Sequence, residues 1–269
     1  MKNDHLPPIE GRPFETVLVE LGDDRVLTVS LNRPDKLNSF NATMLEEFSD
    51  IWAAVRLDDR IKAVVLQAEG DRAFCTGVDV TAIPSETDNP WFEVDPGVYL
   101  SPKLNRVWKP LVCAVHGMAA GGAFYWLNEA DLIVAADDAT FFDPHVSYGM
   151  TAALEPIGMT RRMPLGEVLR IALVGLDERL GAERAREVGL VNEVVPREDL
   201  RATAHGFAAR MAAKPAAAIQ GTVRAIWESL DVGRVAALER GLAYTQLGNP
   251  IGTAEVDRAT FERPKPRIR

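Results

Sequence analysis

Apolar and polar positions alternate over residues 14–21 and again over 25–31, on either side of Gly22-Asp23-Asp24. A period of two broken by a Gly/Asp turn predicts a β-hairpin. The period then changes. Met44, Leu45, Phe48, Ile51, Trp52 and Val55 fall on one stripe at helical spacing, and Asn41 is a good N-cap, so a helix is predicted over 42–57. Short apolar runs at 63–67, 111–115, 132–136 and 140–142 predict buried strands, with a helix expected across 122–128. Strands alternating with helices predict an α/β architecture. From about Arg161 helical patterns dominate, at 164–175, 181–188, 197–214, 215–230, 233–247 and 253–262, interrupted by one short strand over 189–195. The expected organisation is a loose polar arm over 1–13, an α/β core over 14–200 and a helical region over 201–269.

A chain of 269 residues with 47% hydrophobic and 26% charged positions fits a soluble globular protein. The net charge of −9 and the lack of a basic run argue against nucleic acid as a partner, while a few local Arg and Lys still suit a small anion. Cys75 and Cys113 make no disulfide framework, no apolar run reaches membrane-spanning length, and the start lacks a signal-peptide core. The expectation is a cytoplasmic protein with no membrane partner.

Two segments carry the candidate chemistry, Ala73-Phe74-Cys75-Thr76-Gly77-Val78-Asp79 and His116-Gly117-Met118-Ala119-Ala120-Gly121-Gly122. Each follows a predicted strand, turns through glycine and is expected to continue toward a helix. Such turns can aim one backbone N–H each at a common point, as an oxyanion hole requires. The glycine spacing does not fit a dinucleotide fingerprint.

These segments, together with Asn32-Arg33-Pro34-Asp35-Lys36-Leu37, Pro110, Ala130-Asp131 and the stretch 182–195, resemble the crotonase (enoyl-CoA hydratase/isomerase) superfamily over nearly the whole chain. The resemblance implies a spiral of ββα units followed by a helical trimerisation region, a homotrimer or homohexamer, and action on acyl-CoA thioesters. It implies no prosthetic group and no metal, with coenzyme A present only as part of the substrate. It places the thioester oxygen between the N–H groups of Val78 and Gly122, with Cys75, Gly77 and Gly121 beside it. It lays Arg33, Lys36 and Leu37 along the nucleotide end of CoA. Phe261, Arg263 and Lys265 resemble a tail that reaches CoA, although Pro264 and Pro266 disturb the pattern and a solvated basic tail is equally compatible.

The acid–base positions depart from the hydratases. Where the resemblance places two glutamates, this chain has Tyr125 and His145. Tyrosine, with a pKa of about 10, is a poor base at neutral pH but a serviceable donor, whereas histidine suits proton transfer there. Asp143, two residues before His145, is expected to project to the same side of an extended segment and orient the imidazole. Some members of the superfamily carry an acidic catalytic residue near Glu155, which could equally cap the following helix. Ser147, His145 and Asp143 lie too close in sequence for a nucleophilic triad, and His5, His116 and His205 are too scattered for a metal site.

Three readings stay open at this level. One is a lyase or isomerase using His145 as proton carrier. The second is a hydrolase of a CoA thioester or β-dicarbonyl compound, and the third a silent acyl-CoA binder. Trp91, Phe92 and Tyr99 hint at a bulky acyl group, or pack under a surface loop.

Overall fold

A computed structural model of the chain describes residues 9–81, 91, 94–261, 263 and 265–268. The alternating segments pair as the hairpin, β1 (Val17–Leu21) antiparallel to β2 (Val26–Leu31), with Val17 opposite Leu31. Helix α1 (Ala42–Leu57) starts where Asn41 Oδ1 accepts the N–H of Met44 at 3.0 Å, and buries Met44, Phe48, Ile51, Trp52 and Val55.

Beyond α1 a unit recurs. A strand of one sheet is followed within a few residues by a short strand of a second sheet. The pairs are β3 (Ala63–Ala68) with β4 (Ala73–Cys75), β5 (Leu111–Val115) with β6 (Met118–Ala120), and β7 (Leu132–Ala136) with β8 (Thr140–Phe142). Helix α2 (Gly97–Leu100) precedes β5 and α3 (Phe124–Leu127) follows β6. The long strands join the first sheet, ordered β1-β2-β3-β5-β7-β10, parallel from β2 onward. The short strands form the second, ordered β4-β6-β8-β9. The strands β9 (Leu180–Gly181) and β10 (Glu193–Val195) close the two sheets. Gly117 makes the step from β5 to β6 at φ 56, where a Cβ would collide with the Arg72 carbonyl.

The first sheet is covered on both faces, which is why its strands read as continuous apolar runs rather than alternating ones. Val64, Leu66, Leu111, Cys113 and Val115 face the main core with α1. Val65, Val112, Ala114 and Val134 meet Leu200, Ala204, Ala208 and Ala212 of a later helix. The helices after β8 are α4 (Leu154–Met159), α5 (Leu165–Val174), α6 (Ala182–Glu187), α7 (Leu200–Ala212), α8 (Ala216–Ser229) and α9 (Arg234–Ala254). It is α7 whose small residues, one turn apart, lie against the sheet. Helices α8 and α9 pair with each other, approaching closely where Gly252 leaves room for Ala218. The Trp227 indole N–H donates to Asp131 at 2.6 Å and fastens α8 to the core.

Several expectations are corrected. The helix expected at 253–262 is absent from the described residues: α9 runs on to Ala254, and Asp257 then accepts the Ala259 N–H and the Thr260 hydroxyl, each at 2.9 Å, as a turn. The strand expected over 189–195 is confined to Glu193–Val195, because Asn192 spends its side chain and N–H on Ile133. The helix expected at 122–128 opens as a 3₁₀ turn at Gly121–Ala123 before α3. No helix follows Val78 among the described residues up to Thr81, and 82–90 lie outside them. Of the expected arm, residues 1–8 lie outside the described residues, while Ile9 is buried and Glu10 pairs with Arg60 at 3.0 Å. No helix of the described residues is long and apolar enough to cross a membrane.

Candidate active site

The two glycine-containing turns meet. Phe40 donates its N–H to the Gly77 carbonyl at 2.9 Å and accepts the Asp79 N–H at 2.8 Å, a parallel bridge centred on Val78. In such a bridge the central residue's own N–H points away from its partner. The Val78 N–H is therefore turned away from the Phe40 backbone, and the two turns are in contact: a Cβ built on Gly77, which sits at φ 89, would be 3.0 Å from the Gly122 nitrogen. Gly122 itself occupies the first turn of the Gly121–Ala123 helix, where an N–H has no intrahelical partner. The Gly77-Val78 and Gly121-Gly122 turns thus lie side by side. A side chain at Gly122 would collide with the ring of Phe40.

The turn after β2 braces this arrangement. Buried Asn38, at φ 54, accepts the Arg33 N–H at 2.8 Å and donates to the Glu69 and Ala73 carbonyls, both at 2.9 Å. The Arg33 guanidinium is committed inward, to Asp79 at 2.8 Å and to the Ser39 carbonyl. Leu37 takes φ 53, and Lys36 is exposed.

The acid–base residues gather beside the two donors. A Cβ built on Gly121 would be 3.6 Å from His145 Cε1, and one on Gly122 would be 3.4 Å from Tyr125 Cε2. Asp143 is fully buried, and its Oδ1 accepts both the His145 backbone N–H at 3.0 Å and His145 Nδ1 at 2.7 Å. The pairing expected from the sequence is present, but its geometry differs. Pro144 ends the extended run and His145 opens a 3₁₀ turn, so Asp143 reaches the ring by folding over a tight turn rather than along a strand. On the far side of the ring, Glu155 Oε1 lies 4.0 Å from His145 Nε2. Glu155 is buried in the first turn of α4, a helix held against α3 by the Asn128 amide donating to the Glu155 carbonyl at 2.9 Å.

His145, Glu155 and Tyr125 are displaced from their ordinary acidity. The hydrogen bond from Asp143 raises the imidazole pKa of His145, against the opposing effect of burial. Burial raises the Glu155 carboxyl. Burial, then the negative charge of Glu155, then Asp95 keep the Tyr125 hydroxyl protonated far above the ordinary range. The result is a neutral phenol beside an imidazole that is paired with Asp143 and has the Glu155 carboxyl 4.0 Å from its other nitrogen. Asp95 was not visible to sequence reasoning. It sits ahead of α2, accepts the Gly97 N–H at 2.9 Å and faces Tyr125 across thirty positions of chain, with no motif to signal the contact.

The remaining expected residues are placed as follows. Cys75 is buried beside Gly77, and burial pushes its thiol up to about 12, which removes it as a nucleophile. Ser147 accepts the Leu176 N–H at 2.9 Å, outside any relay with His145. Phe261 is exposed, as are Trp91 and Tyr99, while Phe92 lies outside the described residues. Asp143, His145 and Glu155 offer donor atoms within 4.8 Å of one another, near enough to touch a cation, but Asp143 Oδ1 is already engaged by Nδ1.

Comparison with known proteins bears on the family and the fold. The enoyl-CoA hydratase/isomerase family model matches residues 22–246. The (E)-benzylidenesuccinyl-CoA hydratase of Thauera aromatica is 30% identical over 226 residues, which cover 83% of this chain and 86% of that protein. The 1,2-epoxyphenylacetyl-CoA isomerase of Escherichia coli K12 is 32% identical over 197 residues, 71% of this chain and 74% of its own. An enoyl-CoA hydratase/isomerase structure from Mycobacterium paratuberculosis matches with a TM-score of 0.80 at 33% identity, covering 87% of this chain and 91% of that one.

Proposed function

The chain belongs to the enoyl-CoA hydratase/isomerase family, and from that premise we propose that it is a lyase or isomerase moving a proton at the α/β carbons of an acyl-CoA thioester through His145. The thioester oxygen rests between the Val78 and Gly122 N–H groups. Removing a proton from carbon, or adding a nucleophile at the β carbon, drives charge onto that oxygen, and each preorganised donor there stabilises the enolate by about 3 kcal/mol. His145 takes or returns the proton, Asp143 fixes its tautomer and steadies the imidazolium, and Glu155 shares the proton from the opposite ring nitrogen. Tyr125, kept a neutral phenol and held by Asp95, lines the site beside Gly122. This is not two-glutamate hydration, because neither of the usual positions holds a carboxylate.

The observation that carries the reading is the Asp143–His145–Glu155 series, at 2.7 and 4.0 Å, beside the Gly121-Gly122 turn. The Thauera and E. coli relatives are named for ring-bearing acyl groups, and exposed Trp91 and Tyr99 ahead of and within α2 are in keeping with such a substrate. The reading needs no prosthetic group, only coenzyme A as part of the substrate, with exposed Lys36 and Phe261 as candidates for its nucleotide end. Exposed apolar residues of α4 and α5 (Leu154, Ile157, Leu165, Leu169 and Leu173) support self-association, which we infer to be a homotrimer or a pair of trimers.

The test is a mass-spectrometric screen against enoyl-, hydroxyacyl- and β-ketoacyl-CoA thioesters, run in parallel with His145→Ala. A product changed by one water, or an isomer, formed only by the unsubstituted protein is the expected result. Free CoA thiol with a carboxylic acid would instead make it a hydrolase. Binding without turnover would make it a silent binder.

A further inference from the structure

Arg33 stands at the base of the turn after β2, where its carbonyl accepts the N–H groups of Lys36 and Asn38, both at 2.9 Å. Its side chain leaves that turn and reaches the Phe40–Val78 bridge. One guanidinium nitrogen donates to the Ser39 carbonyl and another to Asp79 Oδ2 at 2.8 Å. Ser39 is the residue before Phe40, and Asp79 is the residue after Val78. The planar fork therefore ties the two chains of the bridge together, with one acceptor on each.

The acceptors are arranged for this. Asp79 is buried, and its Oδ1 accepts the Thr81 N–H at 3.1 Å and the Thr81 hydroxyl at 2.6 Å, which leaves Oδ2 to the guanidinium. With side-chain exposures of 16% and 7%, Arg33 and Asp79 form a charge-assisted pair largely shielded from water. Phe40 carries the restraint to the second turn. Its backbone holds Gly77 and Asp79, while its ring occupies the space that a Cβ on Gly122 would need. One residue thus touches both turns, and sliding its chain against Val78 changes how the turns lie.

Resting on the oxyanion-hole reading above, we propose that Arg33 is a positioning residue for the Val78 N–H. It acts on the thioester carbonyl through Asp79, Ser39 and Phe40, and not as a ligand of the CoA phosphates. A phosphate role would require the guanidinium to abandon two acceptors that have little access to water. In a preorganised site a misplacement of about 1 Å can cost about 10²-fold in rate, so a brace outside the site is felt at the carbonyl.

The test reads that carbonyl directly. Butyryl-CoA labelled at its carbonyl carbon is bound to the full chain, and its C=O stretch is followed by infrared difference spectroscopy. S-butyl-CoA, the thioether lacking that carbonyl, is measured beside it by calorimetry. The bound stretch is expected at lower frequency than in water, and Arg33→Met and Asp79→Asn are each expected to lose about half of that shift or more. The double variant is expected to lose no more than Arg33→Met alone, since both substitutions break the same bond. S-butyl-CoA affinity is expected to stay within about twofold of the unsubstituted chain, because no donor of the hole contacts it. Arg33→Lys keeps the charge without the fork and is expected to lose part of the shift, which supplies the result if Arg33→Met does not fold. A carbonyl stretch unchanged in the Arg33 variants, with only Tm lowered, would overturn the proposal. So would a fall in S-butyl-CoA affinity matching that of butyryl-CoA, the mark of a phosphate ligand. If the unsubstituted chain binds butyryl-CoA with its stretch unmoved, the oxyanion-hole reading falls and the role of Arg33 with it. If it binds neither molecule, the acyl-CoA reading itself falls.

Discussion

His145 Nδ1 lies 2.7 Å from Oδ1 of Asp143, a carboxylate with no exposed surface. That bond raises the imidazole pKa, so a base at this position becomes active at higher pH than an ordinary histidine. The activity, limited on its acid side by deprotonation of His145, rises through an inflection above the usual histidine range. In Asp143→Asn the imidazole loses its counter-charge, so the inflection moves to lower pH while kcat falls more than KM changes. A pH series of kcat/KM on both proteins checks this, and a role in packing alone would leave the inflection in place.

Glu155 is raised by burial, and its protonated fraction persists to higher pH than a surface glutamate's. Glu155→Gln keeps the shape and removes the group that can share a proton with His145, and is expected to lower kcat by about 10²–10⁴-fold with acyl-CoA binding retained, as steady-state kinetics and calorimetry would show.

Gly122 is constrained from two sides, by the donor it presents and by the Phe40 ring that a Cβ would strike. Gly122→Ala is expected to cost about 1–3 kcal/mol of stability through overpacking. A displaced donor costs about 10²–10³ in kcat. Truncating Phe40 in the same chain should recover part of the stability and less of the activity, since the ring also packs edge-on against Tyr125 and Trp126. Denaturant unfolding and steady-state kinetics on the single and double variants separate the two effects.

Asp79 carries an acid-stability term. The Thr81 hydroxyl and then Arg33 hold its carboxyl down to about 2, against about 3.9 for an unfolded aspartate. The folded value is the lower one, so this stabilisation is present at neutral pH and is lost as pH falls from about 4 to about 2. Asp79→Asn is expected to lower Tm at pH 7, with the gap to the unsubstituted protein closing over that acid window in a series of thermal melts.

Much of the fold could be read from period and punctuation. Asn41 announced α1 because a side-chain acceptor ahead of an apolar stripe has few other uses, and the hairpin around Gly22 was fixed by local alternation. The strands β4, β6 and β9 were not legible as strands. With two or three residues each they carry no measurable period: β3 and β5 deliver β4 and β6 to one place, and β9 forms only where the chain after α5 returns to β8. The site divided in the same way. Spacing placed Asp143 near His145, but the tight turn that joins them depends on Pro144 ending the extended run. Asp95 could not be found at all, since its contact with Tyr125 is made by folding rather than by sequence neighbourhood.

The central claim is that His145 moves a proton at carbon while Val78 and Gly122 hold the enolate oxygen. Its most direct test is solvent-deuterium incorporation, followed by mass spectrometry, when 2-enoyl- and 3-enoyl-CoA thioesters are incubated with the protein in D₂O. The account predicts deuterium at carbon in the recovered thioester or product with the unsubstituted chain. It predicts incorporation reduced at least 10²-fold in His145→Ala, with thioester binding unchanged. Incorporation at the same rate in both proteins, or none in either while the thioesters bind, would contradict it.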